Sequence, residues 1–234
     1  MGLFTGKKIV ITGASRGVGF EAAKLFLADG AEVFGTGRNQ ARLDSSATEL
    51  NQIGVFHPFL ADFDHKQGSV QTAEAVKSLW PSLDILINNA AVQSYNHGWF
   101  DEDPSLFEKT TRTNVFSPHE LTLALTPLLL QAQSPRIVFV SSDAGTTEAL
   151  RSYPDMPTYR LTKYFLGGLT ISWAQTLMGK VAVNAVHPGW LKTDLGGADA
   201  PGEPADGGQR IWEVLSLNWD VTGRIFYGSE EMEF

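Results

Sequence analysis

A tyrosine and a lysine stand four apart in Tyr159-Arg160-Leu161-Thr162-Lys163, at the head of an apolar-periodic stretch running from Leu161 to Met178. Residues i and i+4 share one face of an α-helix, so the spacing predicts a phenol and an ammonium aimed into the same cleft. Such a pair suits proton transfer. A free tyrosine titrates near ~10, and bringing its phenolate into use near neutrality takes about 4 kcal/mol. A cation roughly 4 Å away, at an effective dielectric near 20, supplies about that much. The spacing alone is a weak signal: with five tyrosines and nine lysines in 234 residues, chance places about 0.2 such pairs in a chain. Its meaning rests on the elements that would position it.

Lys7 to Thr12 reads as a short buried strand around Ile9-Val10-Ile11, and it runs into Thr12-Gly13-Ala14-Ser15-Arg16-Gly17-Val18-Gly19 and then the helix-periodic Phe20, Ala23, Leu25 and Phe26. Strand, glycine-rich turn and helix N-terminus make an anion cradle, in which the backbone of Gly13, Ser15, Arg16, Gly17, Val18 and Gly19 can approach a pyrophosphate. A second strand, Glu32 to Thr36, ends in Thr36-Gly37-Arg38. A dinucleotide fold that prefers NAD places a carboxylate there for the ribose 2′-hydroxyl; here Arg38 takes that place and Arg16 adds a second cation. Guanidinium groups suit a 2′-phosphate, so the cofactor is read as NADP(H).

Further strands follow at Val55 to Leu60, before Asp62, and at Leu83 to Ile87, before Asn88-Asn89-Ala90-Ala91. Arg136 to Val140 precedes Ser141-Ser142, Val181 to Val186 precedes His187-Pro188-Gly189, and Thr222 to Tyr227 is the last strand. Helical stretches at Gln40 to Asn51, Ser69 to Leu79, Asp103 to Val115 and beyond separate them. This alternation predicts one α/β domain spanning residues 1–234, a doubly wound parallel sheet of the Rossmann type. Residues after the carboxyl ends of its strands face the ligand crevice. Leu195 to Gly208, rich in Gly, Ala, Pro and Asp, reads as a mobile loop, and Ser229 to Phe234 as a polar tail.

Composition narrows the function classes. The net charge of −8 opposes nucleic-acid binding, and the absence of cysteine excludes disulfides and thiolate-ligated metals. The five histidines show no metal-ligand spacing. No signal-peptide pattern opens the sequence, Gly6 stands where a myristoylation motif needs Ser or Thr, and Leu121 to Leu130 is too short to span a bilayer. A soluble cytoplasmic protein is expected. No Gly-x-Ser-x-Gly elbow accompanies Ser141-Ser142, which argues against a serine hydrolase.

Taken in order, the glycine loop, Asp62, Asn88-Asn89-Ala90-Ala91, Asn114, Ser141-Ser142, Tyr159 with Lys163, and His187-Pro188-Gly189 with Thr193 resemble the short-chain dehydrogenase/reductase family over nearly the whole chain. The arginines, the Pro188 to Thr193 stretch and the long segment before Tyr159 are similar to its NADPH-dependent carbonyl-reductase side. The resemblance implies an oxidoreductase moving a hydride between nicotinamide and a small carbonyl or alcohol substrate. It makes Tyr159 the acid/base, Lys163 the support of its phenolate and of the nicotinamide ribose, Ser142 the ligand of the substrate oxygen, and Asn114 the holder of a relay water. By the same resemblance Asp62 contacts adenine, Asn89 and Ala90 line the adenosine ribose, and Pro188, Gly189 and Thr193 meet the nicotinamide end. Ala91 departs from the family's usual glycine. Residues 146–157 are expected to wall the substrate site and 195–208 to close over it, with Tyr95, Trp99 and Trp190 as pocket-lining or packing aromatics. Homo-oligomerisation is left open. A non-catalytic NADP(H)-sensing relative acting through a partner is the alternative, disfavoured because Asn114, Ser142, Tyr159 and Lys163 are all present.

Overall fold

The computed structural model describes residues 2–93 and 95–233. It alternates β1 (Lys8–Ile11), α1 (Gly17–Ala28), β2 (Glu32–Gly37), α2 (Gln40–Leu50), β3 (Phe56–Leu60), α3 (Lys66–Leu79) and β4 (Ile85–Asn88). There follow α4 (Pro104–Thr111), α5 (Ser117–Leu129), β5 (Arg136–Val140), α6 (Thr147–Ser152), α7 (Pro157–Thr176), β6 (Ala182–His187), α8 (Pro204–Ser216), β7 (Ile225–Tyr227) and β8 (Glu230–Met232). The strands form one sheet in the order β3-β2-β1-β4-β5-β6-β7-β8, parallel from β3 to β7. Only β8 runs antiparallel, against β7. The chain therefore winds out from β1 in both directions, and the crevice beyond the carboxyl ends of β1 and β4 is the topological switch point.

Side-chain alternation explains why both faces carry helices. Ile9, Ile11, Val33, Ile85, Ile87, Val138 and Val140 point to one side, where they meet Phe26 of α1, Leu50 of α2 and Ile211 and Val214 of α8. Val10, Phe34, Leu86, Ile137, Phe139 and Val183 point to the other and meet Val76 of α3, Leu121 and Leu125 of α5 and Leu166 and Trp173 of α7. Strands buried on both faces need uninterrupted apolar runs, as Ile9-Val10-Ile11 and Ile137-Val138-Phe139-Val140 supply. Among the described residues no helix is long and apolar enough to cross a membrane.

Three sequence expectations need correction. The expected polar tail forms β8, because Glu230 and Met232 pair across a tight turn with Tyr227 and Ile225. The expected loop 195–208 is cut short at Pro204, where α8 begins behind a capping box between Glu203 and Asp206. Residues 112–115, expected to complete an α-helix from Asp103, fall instead in a π-helical turn, Arg112–Phe116, between α4 and α5.

Candidate active site

Tyr159 sits in the first turn of α7, just after Met156 in the left-handed region (φ 50°) and Pro157. That position puts the phenol at the positive end of the helix dipole. Ser142, which follows β5, lies close enough to the phenol to lower its pKa by hydrogen bonding. The Ser142 hydroxyl also accepts from the Ala144 amide at 3.1 Å and donates to Asp143 Oδ1 at 3.0 Å. Lys163, one turn on, donates from Nζ to the Val140 carbonyl at 2.8 Å, while the Ser141 hydroxyl donates to the Lys163 carbonyl at 3.2 Å. A side chain on Gly145 would lie 2.5 Å from the Lys163 backbone, so the turn after Ser142 presses directly on α7. These contacts lock the end of β5 against the helix and bring Ser142, Tyr159 and Lys163 together.

Electrostatics at this centre differ from the expectation drawn from spacing. The Lys163 ammonium lies 5.6 Å from the Tyr159 ring centroid. Burial pushes the phenol above its ordinary value of 10.0, outweighing the lowering by the Ser142 hydrogen bond, and Asp143 pushes the same way. Burial also lowers the Lys163 ammonium from 10.5 to about 8. Desolvation penalises both charged forms, and the free protein therefore holds a neutral phenol rather than a phenolate.

The glycine turn lies beside the carboxyl end of β4. Thr12 Oγ1 accepts from the Asn89 and Ala90 amides at 2.9 and 3.0 Å, and Asn89 Nδ2 donates to the Thr12 carbonyl at 2.8 Å. Gly13 has φ +71°, and a Cβ there would come within 3.1 Å of the Ala90 backbone. Gly17, at φ +58°, faces the Thr193 methyl. Ser15 and Val18 are half-buried in this turn, and Gly19 packs so closely that a Cβ would lie 2.4 Å from the Gly13 carbonyl oxygen. Asp62 is exposed just beyond β3, and its carboxylate accepts from the Asp64 amide. Pro188 and Gly189 follow β6, with the Pro188 carbonyl accepting from Arg210 at 2.5 Å. All of these residues lie in the glycine turn or just beyond the carboxyl ends of the parallel strands.

Arg16 and Arg38 do converge at one corner, joined by Arg42, which the sequence reading missed. Burial, Arg42 and Arg38 all lower the Arg16 pKa, as crowding of three guanidinium groups requires. Arg42 lies in the first turn of α2, where the Asn39 side chain caps its amide at 3.0 Å. A cation in a first helical turn runs against the dipole, and that was the available signal. A cleft of about 430 Å³ opens here between Ser15, Arg16, Gly17, Phe20, Arg42, Ser46 and Asp194. Asp194 pairs with Arg16 and, at 3.1 Å, with Arg42.

Asn114 lies in the π-helical turn and is almost fully buried. Its side chain accepts from the Val92 amide at 2.9 Å and donates to the Val92 carbonyl at 2.9 Å and to Thr162 Oγ1 at 3.1 Å. It thus clamps the strand end after Ala91 to the residue preceding Lys163. His187, stacked on Tyr227, lies 3.7 Å from Asp143, and burial lowers its pKa. The residues expected to wall the site contain the short helix α6. Tyr95, Trp99 and Trp190 are all largely exposed; Tyr95 donates to the Leu195 carbonyl and Trp190 to the Gly196 carbonyl at 2.7 Å, so these two hold the 195–203 loop.

Residues 7–203 match the family model of the short chain dehydrogenases. The oxidoreductase YvrD of Bacillus subtilis (strain 168) is 32% identical over 210 residues, covering 86% of this chain and 76% of YvrD. A solved structure from Escherichia coli CFT073, complexed with NADPH, aligns with a TM-score of 0.85 and 26% identity over 96% of this chain and 97% of its own. The Pseudomonas aeruginosa RhlG/NADP active-site complex aligns with a TM-score of 0.74 and 30% identity, over 80% of this chain and 73% of that one.

Proposed function

The chain belongs to the short chain dehydrogenase family, and on that premise we propose that it is a cytoplasmic NADPH-dependent reductase of carbonyl compounds, on the carbonyl-reductase side of that family. The whole chain acts as one dinucleotide-binding domain, with residues 195–203 covering the substrate. The observation that carries this reading is the buried Tyr159 phenol in contact with Ser142, one helical turn from Lys163, beside a glycine cradle at the switch point.

The cradle fits the cofactor, because Cβ atoms on Gly13 and Gly19 would fill the space beside Ala90 and Asn89 and three arginines gather at one corner. Ser15, Arg16, Gly17, Val18 and Gly19 would hold the pyrophosphate, Asp62 the adenine, and Asn89 and Ala90 the adenosine ribose. Arg38 with Arg16 would hold the 2′-phosphate, Pro188, Gly189 and Thr193 the carboxamide end, and Tyr159 and Lys163 the nicotinamide ribose. NADPH supplies the hydride that adds to the carbonyl carbon.

Ser142 donates a hydrogen bond to the carbonyl oxygen, polarising it and fixing its place beside the phenol. Tyr159 then gives its proton to the developing alkoxide. Burial keeps that proton on the phenol in the free protein, the state an acid requires. The phenolate left behind is stabilised by the Lys163 ammonium and by the N-terminus of α7, and regains its proton from solvent. Asn114 holds Val92 and Thr162 in register with Lys163, the position from which it could order a relay water.

Tyr159→Phe keeps the ring and removes the proton. Its NADPH oxidation against a panel of aldehydes, ketones and quinones should fall by about 10² to 10⁴, while NADPH binding, followed by fluorescence titration, changes little. Turnover within a few-fold of the unmodified protein would rule out Tyr159 as the acid.

A further inference from the structure

Asp194 is an acidic residue placed where an anionic ligand would sit. Its carboxylate bridges Arg16 of the glycine turn and Arg42 of α2, across the 430 Å³ cleft that also contains Ser15 and Ser46. The three side chains are all substantially exposed, at 42% for Arg16, 55% for Arg42 and 61% for Asp194, so a ligand can reach them. Nothing in the sheet requires this bridge. Asp194 is carried by a loop whose base is closed independently, by hydrogen bonds from Lys192 N to the Gly202 carbonyl (2.9 Å) and from Gly202 N to the Trp190 carbonyl (3.2 Å), and by the Lys192–Glu203 ion pair. Without Asp194, Arg16 and Arg42 would face one another and Arg38 without their ion-pair partner, since Glu49, which also lines the cleft, lies 3.7 Å from Lys24.

We propose that Arg42 is a third cation for the 2′-phosphate of NADP(H) and that Asp194 is its internal counter-ion, so that phosphate and carboxylate compete for the same guanidinium groups. The inference rests on the reading that Arg16 and Arg38 flank the 2′-phosphate. A dianionic phosphate with three acceptor oxygens satisfies two forked guanidiniums better than one carboxylate does, so it wins the exchange. NAD(H), with a hydroxyl in that place, cannot displace Asp194. Arg42 therefore adds to the selection of NADP(H), and Asp194 moderates it: the bridge must be broken before a phosphate can bind, whereas NAD(H), which makes no use of these guanidinium groups, is unaffected by it.

The test uses binding rather than turnover, with 2′,5′-ADP and 5′-AMP as probes titrated calorimetrically into the full chain. The unmodified protein should prefer 2′,5′-ADP; absence of that preference overturns the underlying assignment of the arginine corner. Where the preference holds, Asp194→Asn should tighten 2′,5′-ADP by about two- to five-fold, the scale of an exposed ion pair, and leave 5′-AMP unchanged. Arg42→Ala should weaken 2′,5′-ADP by about tenfold, with Arg42→Lys between the two, as expected when a forked donor becomes a point charge. In the Arg42→Ala protein, adding Asp194→Asn should have a smaller effect than it has alone. Unchanged or weaker 2′,5′-ADP binding in Asp194→Asn overturns the counter-ion, and unchanged binding in Arg42→Ala overturns the third cation.

Discussion

The value of about 8 for Lys163 sets a pH limit on reduction. If its ammonium must be present to stabilise the phenolate that Tyr159 leaves, activity follows the protonated fraction of Lys163. That fraction falls from about nine-tenths at pH 7 to about one-tenth at pH 9, so kcat/KM for NADPH, which reports the free protein's ionisations, should drop about tenfold over the same interval. Neighbouring groups do not produce the same limb. Burial holds Tyr159 above 10 and holds His187 below 6.5, so neither changes charge between pH 7 and 9. The assay is a pH series of initial rates with one good carbonyl substrate at saturation and NADPH varied. Lys163→Arg keeps a cation that does not titrate in this range, and whatever activity it retains should be flat to pH 9. A wild-type profile flat from pH 7 to 9, or an alkaline limb that persists in Lys163→Arg, would refute the reasoning.

Two other outcomes follow from the same geometry. Moving an ammonium from 10.5 to about 8 corresponds to on the order of 3 kcal/mol; because the folded pKa is the lower one, this is a cost present below pH 8 and relieved as pH rises toward 10.5. Lys163→Met should therefore abolish turnover yet raise stability in urea unfolding at pH 7 by about 2 kcal/mol, after the lost hydrogen bond to Val140 is counted; a loss of more than about 1 kcal/mol would contradict the buried-charge account. Arg38→Ala should weaken NADPH binding by about tenfold, the scale of one charge-assisted hydrogen bond, with NADH binding little changed. Equal losses for the two cofactors would exclude a 2′-phosphate contact.

Much of the fold was legible because it is governed by local pattern. The β-branched run Ile9-Val10-Ile11, the glycines that follow it and the helical periodicity after Gly19 encode one βα unit, and its repetition forces a parallel sheet with helices on both faces. Boundaries shifted where residues acted across a turn: the Glu203/Asp206 box started α8 inside an expected loop, and β8 existed only because β7 offered an open edge. The site divides in the same way. Tyr159 and Lys163 share a face by helical spacing, and Ser142, Asn89 and Gly189 fall on the crevice because they follow strand ends, so their convergence was contained in the order of the chain. Charge balance was not. The phenol was expected to be drawn toward phenolate by its lysine, but desolvation acts on every surrounding atom at once, and no spacing rule states how deeply α7 is buried against β5. The Asp194 bridge likewise joins distant segments, Arg42 lying 152 residues away along the chain and Arg16 further still. Spacing along a helix determined which groups could meet; only the tertiary packing decided what each meeting costs in charge.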